Sequence, residues 1–208
     1  MARPRQFDEE KILAAVRDEF WKNGYTATSL DDLMSVTGLG KGSIYAAFGD
    51  KRRLFLSALK FYADASLTNV RVALSSDRPA IERLRMLFDR PNSGPPGHGP
   101  YRGCFLANST TELASIDKDV TALARGIYHA VEELIVEVVR EAQHDGALSK
   151  AIPAKDLGRL MLAIMQGEEF LQKSGMPLAD LKGIDLAVKK LLFSDLMGKR
   201  RRSNTVRR

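Results

Sequence analysis

One cysteine, Cys104, in 208 residues leaves no partner for an internal disulfide and fits a reducing compartment. Three histidines, His98, His129 and His144, stand apart from any HxxxH-type pair, so with a single thiol no metal site is expected. His129, Glu132 and Glu133 share one helical face, a spacing that a solvated stripe explains as well as a ligand cluster. Apolar runs all fall short of the roughly 20 residues that span a bilayer, and the opening MARPRQFDEE lacks the apolar centre of a signal peptide. A cytoplasmic protein with no membrane partner is therefore expected. Sustained alternation of apolar and polar residues is missing too, which argues against sheet. The glycine-rich GLGKGS lies between helical stretches rather than after a strand, and no nucleophile elbow occurs, so neither an enzyme nor a cofactor is expected.

What the chain does have is helical periodicity along nearly its whole length, with 44% hydrophobic residues, an ordinary share for a globular protein. The net charge of +6 is unevenly spread: residues 1–60 carry about +2, residues 61–198 about −2, and the last ten about +6. The basic character thus belongs to the tail GKRRRSNTVRR, and global charge is a poor argument for nucleic-acid binding; a local pattern has to carry it.

The pattern predicts an all-α fold of about nine helices. The first runs from an Asp8 cap to Asn23 with Ile12, Val16 and Phe20 on one face, and Gly24 ends it. A second starts at Thr28 or Ser29, each with an Asp three residues on, close to a capping box, and stops at Gly38. A third covers Lys41 to Phe48, with Gly40 at its cap, and a fourth runs from Lys51 into the low 70s. Further helices are expected near 79–90, 103–114, 117–144, 153–174 and 179–197, with the Pro- and Gly-rich 91–100 as a surface loop. The tail from Lys199 has almost nothing apolar to bury and reads as disordered.

Within this layout, Thr28 to Lys51 forms helix, tight turn, helix. The second of these helices keeps Ile44 and Phe48 inward and small or polar residues outward, slim enough for a major groove about 12 Å wide. The stretch FWKNGYTATSLDDLMSVTGLGKGSIYAAFGDKRRLF resembles the TetR family of bacterial repressors over roughly residues 7–56. Gly24-Tyr25, Gly38, Lys41-Gly42-Ser43, Tyr45, Phe48 and Lys51 stand where that family's pattern expects them. Two departures are Gly40, where Ser or Thr is usual, and Trp21, where a small residue is commoner. RGCFLANSTTELA at 102–114 looks like the sixth helix of one subgroup. The resemblance implies a homodimer whose helix-turn-helix pairs grip a palindromic double-stranded DNA operator. It also implies a C-terminal pocket for a small-molecule inducer that drives the heads out of register. The domain division expected is 1–50 for DNA, 51–198 for ligand and dimer, and 199–208 as the basic tail. The alternative is a ligand-blind architectural or constitutive DNA-binding protein.

Phosphate contacts position such a protein and base contacts specify its sequence. The expected phosphate contacts are Thr28 and Ser29, at a helix N-terminus, with Tyr45 and Lys51 by their match to family positions. Tyr45 has a rival reading as a half-buried core aromatic. Lys41, Gly42, Ser43, Ala46 and Ala47 are expected to face base edges, although the alanines also suit plain helix propensity. Arg3 and Arg5 form an arm able to enter a minor groove, or merely a solvated terminus. For the ligand, Phe105, Asn108, Ser109, Glu112, Met161, Gln166 and Phe170 mix apolar walls with polar handles, with ordinary core or surface as the alternative. Leu157, Leu160, Met161 and Ile164 on one late helix, and Ile184, Val188, Leu191 and Leu192 on another, are expected at the dimer interface, unless they pack only on their own chain. Cys104 opens a helix, where a thiol pKa is lowered, so it is a candidate redox or electrophile sensor or else a small buried hydrophobe.

Overall fold

The computed structural model describes residues 8–89 and 101–193. The described residues form nine helices and no strand: α1 Glu9–Asn23, α2 Leu30–Thr37, α3 Lys41–Phe48, α4 Lys51–Leu74, α5 Ala80–Met86, α6 Phe105–Leu113, α7 Lys118–His144, α8 Ala154–Lys173 and α9 Leu178–Phe193. The expected all-α architecture is what the chain adopts. The expected loop at 91–100, the tail, the arm with Arg3 and Arg5, and the end of the last helix lie outside the described residues.

Local chemistry sets the ends. Asp8 caps α1 by accepting from the Lys11 N–H at 3.3 Å, and Glu9 and Glu10 complement the helix dipole in its first turn. Gly24 ends α1 at φ 81° and Gly38 ends α2 at φ 66°, left-handed backbone that costs glycine nothing. Helix α5 is shorter than the 79–90 expected. After Met86 the N–H groups of Leu87, Phe88 and Asp89 bond three residues back, a tightening of the last turn that breaks the α-helical ladder. Helix α6 starts two residues later than expected, with Cys104 as its N-cap.

The chain divides into two compact units, with α4 and α7 contributing to both. The first holds residues 8–66 and 104–127. Its core is Ile12, Val16 and Phe20 of α1, Leu33 of α2, Ile44 of α3, Leu54, Phe55 and Leu59 of α4, and Phe105 and Leu113 of α6. Six aromatic rings meet there: Phe55 takes Phe20 edge-on at 5.1 Å and Phe105 edge-on at 6.0 Å, while Trp21, Tyr25 and Tyr62 close the cluster. Each buried ring contributes roughly 1.5–3 kcal/mol relative to exposure. The second unit holds residues 67–89, 101–103 and 128–193. Its core includes Leu84, Phe88, Ile135, Val139, Leu157 and Met161. Arg83 is buried there with both terminal nitrogens occupied, Nη1 donating to the Leu74 carbonyl at 2.8 Å and Nη2 pairing with Glu141, while its Nε is buried without a hydrogen-bond partner.

Candidate nucleic-acid interface

The reading head is built by the three-residue turn Gly38–Gly40. Gly38 donates its N–H to Met34 O at 2.9 Å, the Leu39 N–H bonds the Thr37 hydroxyl at 3.3 Å, and α3 begins at Lys41. Ile44 is fully buried and anchors α3 from below. Lys41, Gly42, Ala46 and Ala47 are exposed, Ser43 is intermediate, and Tyr45 is 42% exposed. Four of the five residues expected to face bases are therefore open to solvent, and Ser43 is partly covered. Tyr45 is not a core aromatic; the Lys41 ammonium stands 5.7 Å from its ring centre, a cation–π pair.

The two adjacent hydroxyls before α2 have opposite fates. Ser29 is the cap: its Oγ accepts from the Asp32 N–H at 3.1 Å, and the Asp32 carboxylate accepts from the Ser29 N–H at 2.8 Å, a complete capping box with Asp in place of Glu. Bonding from Ser29, side chain first and then backbone, holds Asp32 below the ordinary carboxyl range. Thr28, expected to offer its hydroxyl to a phosphate, is 1% exposed. Its Oγ1 donates inward to Gly24 O at 2.6 Å, closing a carbonyl that α1 leaves open at its end. The expectation for the Thr28 side chain is corrected accordingly.

Helix α4 starts with Lys51, Arg52 and Arg53, with no acid in its first turn. Cations at a helix N-terminus oppose the dipole, so this start is a cost to folding. Asp50 caps the helix by accepting from the Arg53 N–H at 2.8 Å. Lys51 Nζ lies 4.5 Å from the Tyr25 ring centre, so the family-matched lysine is steered by an aromatic. Arg52, not singled out from sequence, forks onto Asp117 at 2.7 and 2.9 Å and reaches Asp119 at 2.5 Å. That guanidinium, hydrogen-bonded to Asp117 above all, holds the Asp117 carboxyl below its ordinary range.

The expected ligand residues are shared between the two units. Phe105, Asn108, Ser109 and Glu112 belong to the first unit and Met161, Gln166 and Phe170 to the second. Phe105 and Met161 are core, Ser109 is buried, Gln166 accepts from the Tyr128 hydroxyl at 3.4 Å, and Phe170 is 70% exposed. Glu112 is turned to the segment after α1: its carboxylate accepts from the N–H groups of Tyr25 at 3.0 Å and Thr26 at 2.8 Å. Burial pushes its pKa up, but bonding from Thr26 and Tyr25 and the charge of Lys51 prevail and hold it below the ordinary value. Of the expected dimer face, Leu157, Met161 and Val188 are buried in their own chain and cannot face a partner, a correction that follows from helices with apolar residues on more than one side. Leu160 and Leu191 are exposed, and Ile164, Ile184 and Leu192 are intermediate. Cys104 is half-buried, its Sγ accepting from the Ala107 N–H at 3.5 Å. Tyr62 lies beside it, its phenol pushed well above the usual value by burial and then by Cys104. Among the described residues no three His, Cys, Asp or Glu side chains are placed to hold a metal, and no helix is long and apolar enough to cross a membrane.

An exposed helix of small residues set against a buried-face partner by a glycine turn, beside a cationic helix start, defines a helix-turn-helix DNA-binding protein. Two family models match the chain: bacterial regulatory proteins of the tetR family over residues 12–58, and the tetracyclin repressor-like C-terminal domain over residues 80–173. The chain belongs to the TetR family of transcriptional regulators, proteins that act on DNA and are not enzymes. It is 26% identical to the HTH-type transcriptional repressor ComR of Escherichia coli K12, over 88% of this chain and 87% of that protein. CifR, a TetR family regulator solved as a cysteine mutant on 26-bp double-strand operator DNA, superposes with a TM-score of 0.70 at 26% identity, over 89% of this chain and 97% of that one. A regulator from Saccharomonospora viridis solved with choline shares the fold at a TM-score of 0.74 and 18% identity, over 86% and 94% of the two chains.

Proposed function

We propose that this protein is a cytoplasmic, dimeric, ligand-responsive repressor that binds a palindromic operator and is released from it by a small organic inducer. The observation that carries the DNA half is the open face of α3, with Lys41, Gly42, Ala46 and Ala47 exposed beside the cationic start of α4. In this reading Ser29, Tyr45 and Lys51 meet phosphates while Lys41, Ser43 and the two alanines face bases, the lysine donating to guanine and the methyls meeting thymine methyls. Arg3 and Arg5 extend the contact into the minor groove. The operator-bound CifR and the repressor ComR support this half.

Dimerisation is supported by the apolar side chains left open on α8 and α9. Phe170, Leu186 at 66% and Leu191 at 82% exposed, with Leu160 and Leu178, are five open apolar side chains on two helices, area that a partner would remove from water. Two heads about 34 Å apart then read successive half-sites. The inducer reading rests on the family and on the choline-bound neighbour.

The experiment is selection of duplexes from random-sequence DNA with purified protein at physiological salt, followed by footprinting of the winner. A protected palindrome with half-sites one helical turn or a multiple apart is the expected result. Binding without a selected sequence would favour the architectural alternative.

A further inference from the structure

The end of α6 and the turn that follows it are tied to the DNA-binding head at one place each. Glu112 sits on the turn between α1 and α2, its two oxygens on the N–H groups of Tyr25 and Thr26. Gly24 makes room for it: a Cβ there would stand 2.9 Å from Glu112 Oε2. Just after α6, Asp117 takes the fork of Arg52 at the start of α4. The first tie holds the segment that leads into the Ser29 cap, and the second holds the helix that begins with Lys51.

We propose that Glu112 is the positioning residue that converts a displacement of α6 into a displacement of the α1–α2 turn, so that operator affinity is set at this carboxylate. The inference rests on the reading of the protein as a ligand-responsive operator binder. At its first turn α6 also meets the head through Phe105, packed against Trp21, Phe55 and Tyr62, and through Cys104, hydrogen-bonded to Tyr62. Apolar packing has no preferred direction and tolerates a slide. Two N–H bonds to one carboxylate do not, because they weaken steeply with angle and are lost beyond about 3.5 Å. A nine-residue helix moves as a rod, so a shift at its first turn reaches its last. Glu112 therefore either drags the turn with it or lets go of it, and both outcomes alter how Ser29 and Lys51 are presented.

The test is a coupling cycle on the operator duplex selected by the wild-type protein. Cys104 caps the opposite end of α6 and is the chain's sole cysteine, so N-ethylmaleimide, with the adduct verified by mass, perturbs α6 at one defined point. Where the thiol stays unlabelled, Cys104→Trp replaces the adduct. Operator Kd is measured with and without this perturbation in wild type and in Glu112→Ala, or in Glu112→Gln where the alanine variant fails to fold by circular dichroism. The expected result is a loss of about tenfold in wild type, an ordinary size for allosteric coupling, and little or none in the variant. A purely structural Glu112 would lower the melting temperature but leave the factor the same in both backgrounds. Equal factors, or no loss in wild type, overturn the inference while leaving the operator reading intact. Failure of the wild type to select any duplex overturns both.

Discussion

Glycine at position 42 has no packing reason to be there. It lies inside α3, where glycine costs roughly 0.5–1 kcal/mol relative to alanine, and a Cβ at that position would meet nothing within 4 Å. Gly126 in α7 is equally open, which makes it a control. Both Gly42→Ala and Gly126→Ala should raise the melting temperature by similar small amounts, but only Gly42→Ala should weaken operator binding, because there the missing methyl leaves room for DNA. Equal operator affinity in the two variants would remove Gly42 from the groove. Lys51 is tested differently: Lys51→Ala should weaken binding to every sequence and reduce the salt slope by about one unit, the signature of one lost phosphate contact. At this scale the sequence was legible wherever a residue's partner is close in the chain. The Ser29–Asp32 box spans three residues and could be read. Glu112 meets Tyr25 and Thr26 across 87 and 86 residues, a pairing no local spacing signals, and only packing decides that Thr28 rather than its neighbour Ser29 turns its hydroxyl inward.

Helices were the most legible level, since caps, left-handed glycines and apolar spacing are local. What stayed hidden was how closely the helices approach. Gly158 of α8 lies against Val136 of α7, where a Cβ would come within 2.5 Å of the valine Cγ2. Gly158→Ala should therefore destabilise the protein by roughly 1–3 kcal/mol despite the better helix former, and Val136→Ala added to it should recover part of the loss. Independent, additive losses in chemical denaturation would mean that the helices separate easily. Acid acts on the first unit through its joints. Asp32, Glu112 and Asp117 all have pKa values held below the ordinary range. Depressed carboxyls contribute stability that is fully present above their unfolded values near about 4 and is lost as pH falls through the folded ones. The melting temperature should thus hold between neutrality and about pH 5 and drop below about pH 4, less steeply in Glu112→Gln. A slope unchanged by that substitution would mean the carboxylate carries no share of the acid response.

At the scale of the molecule the question is which apolar surface the chain covers by itself. Sequence showed two late helices with apolar residues on broad faces, but not which side of each turns inward. The structure buries Leu157, Met161 and Val188 within the chain and leaves Leu160, Phe170, Leu186 and Leu191 open. A side chain already buried contributes nothing further on association, whereas each open leucine removes apolar area from water when a partner covers it. The two sets therefore separate folding from assembly. Leu186→Glu with Leu191→Glu should leave the helical content and the single-chain core intact, because neither side chain is part of it. A charge buried in an apolar interface without a partner is costly, so the doubly substituted protein should sediment as a monomer. Its operator affinity should fall by several orders of magnitude, since one head then reads a single half-site without the effective concentration that a linked second head supplies. Met161→Glu should instead prevent folding outright. Sedimentation of the double variant as a dimer with unchanged operator affinity would place the assembly surface elsewhere on the chain, and folding of Met161→Glu would mean that its burial is not essential to the second unit.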